Sequence, residues 1–371
     1  MSTTTLDNLD SKKELKLISK NEYRSVLRKH LSSEDFNPDK KELIRYFTLM
    51  TLYVLGVYSI LNLQFLLVKI LVSIFMGISL AALTFFLHDL MHGAVVKSKR
   101  ITYLIGLSIG LFNFFAPLFW QRTHNFHHAM AGSKDDPDRM YMWNERPKNT
   151  FEKFVYSLRV SKNSSNTFFS LIGMSFGFFW YFSVMLYAMF QKKPGSIKAI
   201  QYQGINKLFK PKERFIITGE LLLIFSFQGF LFTVVAGGNL LNYFLISLLP
   251  VLIAHFTSML YIHTNHFLSP LTGDIDDPLI NSLSLKNSWL VDKVFSNFSH
   301  HAEHHIFPAM GSSHYPKVRK LLLDLYPNRL QLIPMFDAVK LLCTTPRIYG
   351  DNTHLVNYDG NAKVSCLLPK A

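Results

Sequence analysis

The chain has 371 residues, of which 49% are hydrophobic and only 17% are charged, whereas soluble domains carry about 25% charged residues. This composition excludes a disordered protein and favours one membrane-embedded body, while two cysteines exclude a disulfide-stapled fold or a cysteine-ligated zinc framework. The net charge of +14 indicates an anionic partner, either nucleic acid or a membrane surface, and the 15 histidines are the unusual feature.

The first predicted element is a polar N-terminal arm, residues 1–45, in which no secretory signal peptide is recognisable. Two apolar segments follow, Tyr46–Leu61 and Phe65–Leu87. We predict that they form a hairpin of two spans, because about 20 residues cross the hydrocarbon core of a membrane. Two more spans are predicted at Phe215–Ala236 and Leu240–Ile262, which a glycine-rich turn separates.

Two other uncharged segments, Ile101–Phe119 and Thr167–Phe190, are predicted not to cross the membrane. Short basic loops stay in the cytoplasm, and basic clusters precede the first span, follow the second and fill residues 191–214. We therefore predict an all-α integral membrane protein with four spans and two interfacial or re-entrant segments; six crossings is the alternative. Residues 46–320 would form the catalytic body and residues 321–371 a cytoplasmic tail.

The histidines form three clusters, each beyond an apolar segment, which predicts a cytoplasmic histidine-rich cap. The clusters are His88 and His92; His124, His127 and His128; and His301, His304 and His305. Helical residues three or four apart share a face, so each cluster can direct its imidazoles at one point. Imidazole suits iron, zinc, copper and nickel. Eight histidines exceed the four ligands of a tetrahedral ion, which indicates two metal ions.

These clusters resemble the three histidine boxes of the membrane fatty acid desaturase family. The neighbouring residues are similar too, including Gly93 after the first box, the acidic loop Asp135–Asp138 after the second and Phe307-Pro308 after the third. The resemblance covers about Leu83 to Arg319. It implies that the eight histidines hold two non-haem iron ions, with O2 as co-substrate, on the cytoplasmic face.

The family usually has one more ligand near the end of the last span. We choose His266 for this ligand, with His263 as the alternative.

An alkyl chain has no acidic proton, so its oxidation requires a metal or an organic cofactor. The predicted function is O2-dependent desaturation of a fatty acyl chain, which is free or linked to CoA, a carrier protein or a lipid. The same centre could instead act as a lipid hydroxylase, a ketolase or a fatty-acid decarboxylase that forms a terminal alkene. A metal transporter is the alternative from another class. Nucleic-acid binding is not predicted, because the basic residues flank the spans.

Electrons should come from a separate donor, a ferredoxin or cytochrome b5, because the haem motif His-Pro-Gly-Gly of fused relatives does not occur in the sequence. The basic stretches Lys192–Arg214 and Lys317–Lys320 are candidates for docking an acidic donor or for contacting anionic membrane lipid. The candidates for orienting the metal ligands are Asp89, Asp135, Asp136, Glu303 and Asn265. For the acidic loop, a solvated turn is the alternative. No tryptophan is assigned a site role.

Overall fold

The computed structural model describes residues 16–139, 150, 160–162, 167–190, 208–357 and 360–369, and these are mostly helical. The helices of the first two thirds of the chain are α1 (Lys20–Leu27), α2 (Glu42–Asn62), α3 (Leu66–Met91), α4 (Lys99–Asn113), α5 (Pro117–Met130), α6 (Thr167–Phe190), α7 (Pro211–Val235) and α8 (Leu240–His266). Helices α7 and α8 each include one π-helical turn, at Leu231–Val235 and Phe244–Leu248.

Among the described residues, four helices are long and apolar enough to span a membrane: α2, α3, α7 and α8. They coincide with the four predicted spans, so the prediction of an all-α membrane protein is confirmed. Within their most apolar windows, 61% of α3 and 56% of α8 is buried inside the protein, against 17% of α2 and 28% of α7. The spans α3 and α8 are therefore central, and both carry predicted metal ligands at their ends.

Helices α4 and α5 correspond to the predicted non-crossing segment Ile101–Phe119. They meet at an angle of 101°, which is the geometry of a broken span or a re-entrant loop. The bend follows from the sequence, since Phe114 takes a left-handed conformation (φ 59°) after α4 and Pro117 begins α5.

The second predicted non-crossing segment forms α6, a helix of 24 residues that packs on α8. It does not double back, and its exclusion from the membrane interior stays a prediction. Most of the basic loop of residues 191–214, namely residues 191–207, lies outside the described residues.

The remaining elements form a cap beyond the spans. They are α9 (Pro278–Asn281), β1 (Ser284–Lys286), α10 (Trp289–Val294), α11 (His301–Ile306), α12 (Tyr315–Leu325), β2 (Leu332–Pro334), α13 (Met335–Thr344), β3 (Ile348–Tyr349), β4 (His354–Val356) and β5 (Lys363–Ser365). Strands β1 and β2 pair in parallel, and β3, β4 and β5 form an antiparallel sheet. A separate apolar core joins α1 to this cap, with Tyr23 and Leu27 packed among the side chains of α11 and α12.

Candidate metal centre

Helix α3 presents the first histidine box at its C-terminal end. His88 lies in its last turn, and His92 is the residue that caps the helix. The chain then reverses at Gly93, whose φ of 72° favours glycine and whose N–H donates to the carbonyl of Leu90 at 3.0 Å. The spacing of four residues places both imidazoles on one face of the helix, as the sequence predicts.

Three other helices bring the remaining predicted ligands to the same place. Helix α5 carries His124, His127 and His128, the short helix α11 carries His301, His304 and His305, and α8 ends at His266. Every one of these imidazoles is buried or half-buried.

The nine predicted histidines divide into two groups. The first contains His88, His92, His124, His128 and His304; the second contains His127, His266, His301 and His305. Within each group, one ring nitrogen of every histidine lies within 4.8 Å of the corresponding nitrogens of the others. The division does not follow the boxes, because the second and third boxes each contribute to both groups.

The distances within the first group fit a shared metal ion. The Nε2 atoms of His92 and His124 lie 3.0 Å apart, those of His124 and His128 3.1 Å apart, and those of His128 and His304 3.0 Å apart. A metal–imidazole bond is about 2.0–2.1 Å long, so two ligands at a right angle lie about 3.0 Å apart.

Hydrogen bonds do not explain the arrangement. Each ring nitrogen offers either one proton or one lone pair, so the Nε2 atom of His124 can bond to only one of its two neighbours. The Nε2 atom of His88 is also buried, without a hydrogen-bond partner in the described part of the chain. These donors therefore fit a metal ion.

The second group has the same character. The Nε2 atoms of His266 and His301 lie 2.7 Å apart, those of His301 and His305 3.1 Å, and those of His305 and His127 3.3 Å. Burial lowers the pKa of His301 and His305 well below the usual value, and neighbouring imidazoles lower it further. Both shifts favour the neutral ring, which is the form that binds a metal ion. For His127, burial opposes the charged form, but the neighbouring Asp136 carboxylate outweighs it and raises the pKa to about 9.

Several Nδ1 atoms are held by neighbours that orient the rings. His127 Nδ1 lies 2.6 Å from a carboxylate oxygen of Asp136, and both side chains are fully buried. His88 Nδ1 lies 3.2 Å from a carboxylate oxygen of Asp89. The structure thus places two of the predicted orienting carboxylates against ligand candidates.

The other orienting candidates lie differently. Glu303 accepts hydrogen bonds from Arg319 and Ser284 rather than from an imidazole. Among the described residues, the side chains of Asp135 and Asn265 make no hydrogen bond to a histidine; the two polar side-chain atoms of Asn265 are buried without a partner. Because Arg319 is paired with Glu303, its charge is already compensated within the protein. It is therefore not a free cation of the stretch Lys317–Lys320, which is proposed to dock an electron donor.

The alternative ninth ligand, His263, lies outside both groups. Its ring stacks on Phe267 with 4.3 Å between ring centroids, whereas His266 belongs to the second group.

The contacts to the ligand candidates that the sequence does not predict include two at the imidazole rings. Tyr315 places its hydroxyl 2.9 Å from His304 Nδ1, and Trp120 stacks on His124 at a centroid distance of 4.7 Å. The only sequence signal for Tyr315 is its place in the segment that continues the resemblance after the third box. For Trp120 the signal is its spacing of four residues from His124 on one helix.

A narrow cavity reaches the metal centre. Most of its lining surface is apolar and comes from Phe85, Trp120, Met259, Ile262 and Phe298, and the polar residues Thr84, Asp138 and Ser258 also line it. Three ligand candidates also line it: His88 and His124 from the first group, and His301 from the second. An apolar chain in this cavity would lie beside both groups.

The N-terminal helix α1 contacts the ends of two histidine-bearing helices. Lys20 Nζ donates to the carbonyl of His128 at 3.2 Å, and Arg24 Nε donates to the carbonyl of Ile306 at 2.5 Å. Cations are favourable at helix C-termini, where the carbonyl groups lack helical partners. The N-terminal arm therefore helps to hold the C-terminal ends of α5 and α11, which carry ligand candidates.

Comparison with known proteins agrees with this geometry. The family model described as "Fatty acid desaturase" matches residues 63–336, about three quarters of the chain. No curated protein matches the sequence.

Proposed function

This chain belongs to the fatty acid desaturase family, and we propose that it is a membrane-bound desaturase that uses O2 to introduce a double bond into a fatty acyl chain at a centre of two iron ions. Family membership makes it an oxidoreductase of the desaturase type. The observation that carries the finer proposal is the division of nine imidazoles into two adjacent groups, each with converging ring nitrogens.

Iron held by the two groups would supply the one-electron and O2 chemistry that amino-acid side chains lack. The protein residues would hold and orient that centre. Asp136 and Tyr315 fix the rings of His127 and His304 through their Nδ1 atoms, which leaves the Nε2 atoms directed into the groups.

The apolar cavity would bind the acyl chain. Phe85, Met259 and Phe298 would contribute apolar contacts there, so burial of apolar surface would supply most of the binding of the chain. The same side chains exclude water from the reacting carbons. This arrangement would bring an unreactive alkyl segment beside both groups.

The electron balance requires a donor. Removal of two hydrogens from the acyl chain supplies two electrons and two protons, and a separate donor and the solvent supply two more of each, so that O2 is reduced to two molecules of water. We propose a ferredoxin or cytochrome b5 as this donor, and we place the histidine groups on the cytoplasmic face, where such a carrier has access.

Lipid analysis tests the proposal. The chain is expressed in a host with defined fatty acids, and acyl products are identified by mass spectrometry, with His304→Ala as the inactive control. We expect an acyl product two hydrogens lighter than its precursor. A hydroxylated or keto lipid, or a terminal alkene in the headspace, would identify the alternative outcome of the same centre, whereas metal uptake without lipid oxidation would support a transporter.

Metal analysis tests the centre itself. We expect two iron ions per chain in active, purified protein. Less than one iron per chain in an active preparation would contradict a di-iron mechanism.

A further inference from the structure

Arg139 is a buried cation at the end of the acidic loop. Its side chain is only 2% exposed, in the short 3-10 turn Pro137–Arg139 that follows the second histidine box. A buried charge is costly unless its donors are satisfied. The partners of its guanidinium group therefore indicate what this residue does.

One side of the guanidinium group holds the main chain at the end of α8. Its Nη1 donates to the carbonyls of His266 and Ser269, each at 3.2 Å, and its Nη2 donates to the carbonyl of Asn281 at 2.6 Å. His266 is the last residue of α8, so the cation lies where carbonyl groups lack helical partners. These bonds fix the turn from which the His266 imidazole projects.

The other side faces the carboxylate that orients His127. Arg139 Nε lies 3.5 Å from Asp136 Oδ2, while Asp136 Oδ1 lies 2.6 Å from His127 Nδ1. The guanidinium group therefore compensates the charge of the buried carboxylate through an ion contact, without a hydrogen bond between Nε and Oδ2. His127 and His266 come from different helices, and Arg139 connects them.

Both histidines belong to the second metal group, and in the described part of the chain Arg139 makes no hydrogen bond or ion pair with a histidine of the first group. We propose that Arg139 is a positioning residue for the second metal site alone. This inference rests on the proposed two-metal centre. Under this inference Arg139 positions ligands of the second site but not of the first, so the ion of the second site can be lost while that of the first is retained.

A purely structural role is the competing explanation, because Arg139 also bonds to the Tyr349 hydroxyl and thereby connects the C-terminal segment to the body. Tyr349→Phe removes that link, together with the hydrogen bond that the hydroxyl donates to the carbonyl of Ser269 at 3.0 Å, and leaves the bond from Arg139 to the carbonyl of His266 and the ion contact with Asp136 in place. It is the matched control.

The test is the amount of Fe(II) bound per chain after anaerobic loading of metal-depleted protein and competition with a chelator. Wild type and Tyr349→Phe should retain two ions. Arg139→Gln should retain one, with affinity for the other lowered about 10–100-fold. Arg139→Lys, which keeps the charge but not the planar fork, should fall between them and serves as the test variant if Arg139→Gln does not fold.

Each outcome has a separate meaning. Two ions with wild-type retention in both Arg139 variants would overturn the inference and leave the proposed function intact. Loss of both ions together, or the same loss in Tyr349→Phe, would show that the role is structural. Absence of metal from the wild type would instead refute the two-metal centre.

Discussion

Replacement of Tyr315 by phenylalanine removes a single oxygen atom beside the metal centre. The Tyr315 side chain is 2% exposed, and burial raises its pKa well above the usual value, so the residue is neutral in the native protein. When Nε2 of His304 faces a metal ion, its Nδ1 carries the proton and donates to the Tyr315 hydroxyl over 2.9 Å. The variant would leave that N–H buried without a partner.

The expected cost follows from this one lost contact. A buried donor without an acceptor costs about 1–3 kcal/mol, which corresponds to about 5–150-fold in metal affinity. We therefore expect Tyr315→Phe to lose its iron at a chelator concentration about one order of magnitude lower than the wild type requires. The metal-free variant should keep the thermal stability of the metal-free wild type to within a few degrees.

Tyr261→Phe is the matched control. Tyr261 is equally buried, but its hydroxyl accepts a hydrogen bond from Asn287 Nδ2 at 2.9 Å rather than from a ligand candidate. The reasoning would be refuted by a wild-type chelator response in Tyr315→Phe, or by an equal loss of iron in both variants.

Three further predictions concern the same region. His266→Ala should lose iron from one of the two sites and abolish product formation, whereas His263→Ala should retain both ions. The iron content of the two purified variants tests this, and the reverse result would make His263 the ligand. Trp120→Leu should widen the cavity beside the centre and change the distribution of acyl products at unchanged iron content, which lipid mass spectrometry checks; an unaltered distribution would remove Trp120 from the substrate path. Gly132→Ala should destabilise the loop after the second box, because Gly132 has φ of 80° and an added Cβ would lie 2.3 Å from a hydroxyl oxygen of Thr272. The backbone alone costs about 1–2 kcal/mol there, so a melting temperature equal to that of the wild type would contradict this prediction.

The features that the sequence predicts well are local. Hydrophobic runs of sufficient length identify the four spans, because burial of apolar side chains in lipid does not depend on which helices are neighbours. Helical spacing likewise places His88 and His92 on one face of α3, since three or four residues make one turn.

The features that the sequence does not predict depend on contacts between distant segments. The division of the nine histidines separates His127 from its neighbour His128, because adjacent helical residues point about 100° apart and face different partners. The hydroxyl of Tyr315 and the guanidinium group of Arg139 likewise acquire their roles only when the cap folds onto the spans. Spacing along the chain carries no such information.

The contacts of α1 have a consequence for biosynthesis. This helix is synthesised before the four spans described above, yet its partners are the carbonyls of His128 and Ile306, and Arg329, whose Nε lies 2.5 Å from the Tyr23 hydroxyl. Helix α1 can therefore make all of these contacts only after more than 300 further residues have been synthesised and four spans have been inserted. Iron delivered earlier would meet an unfinished site, so loading of the centre is expected to follow synthesis of the third histidine box and docking of α1.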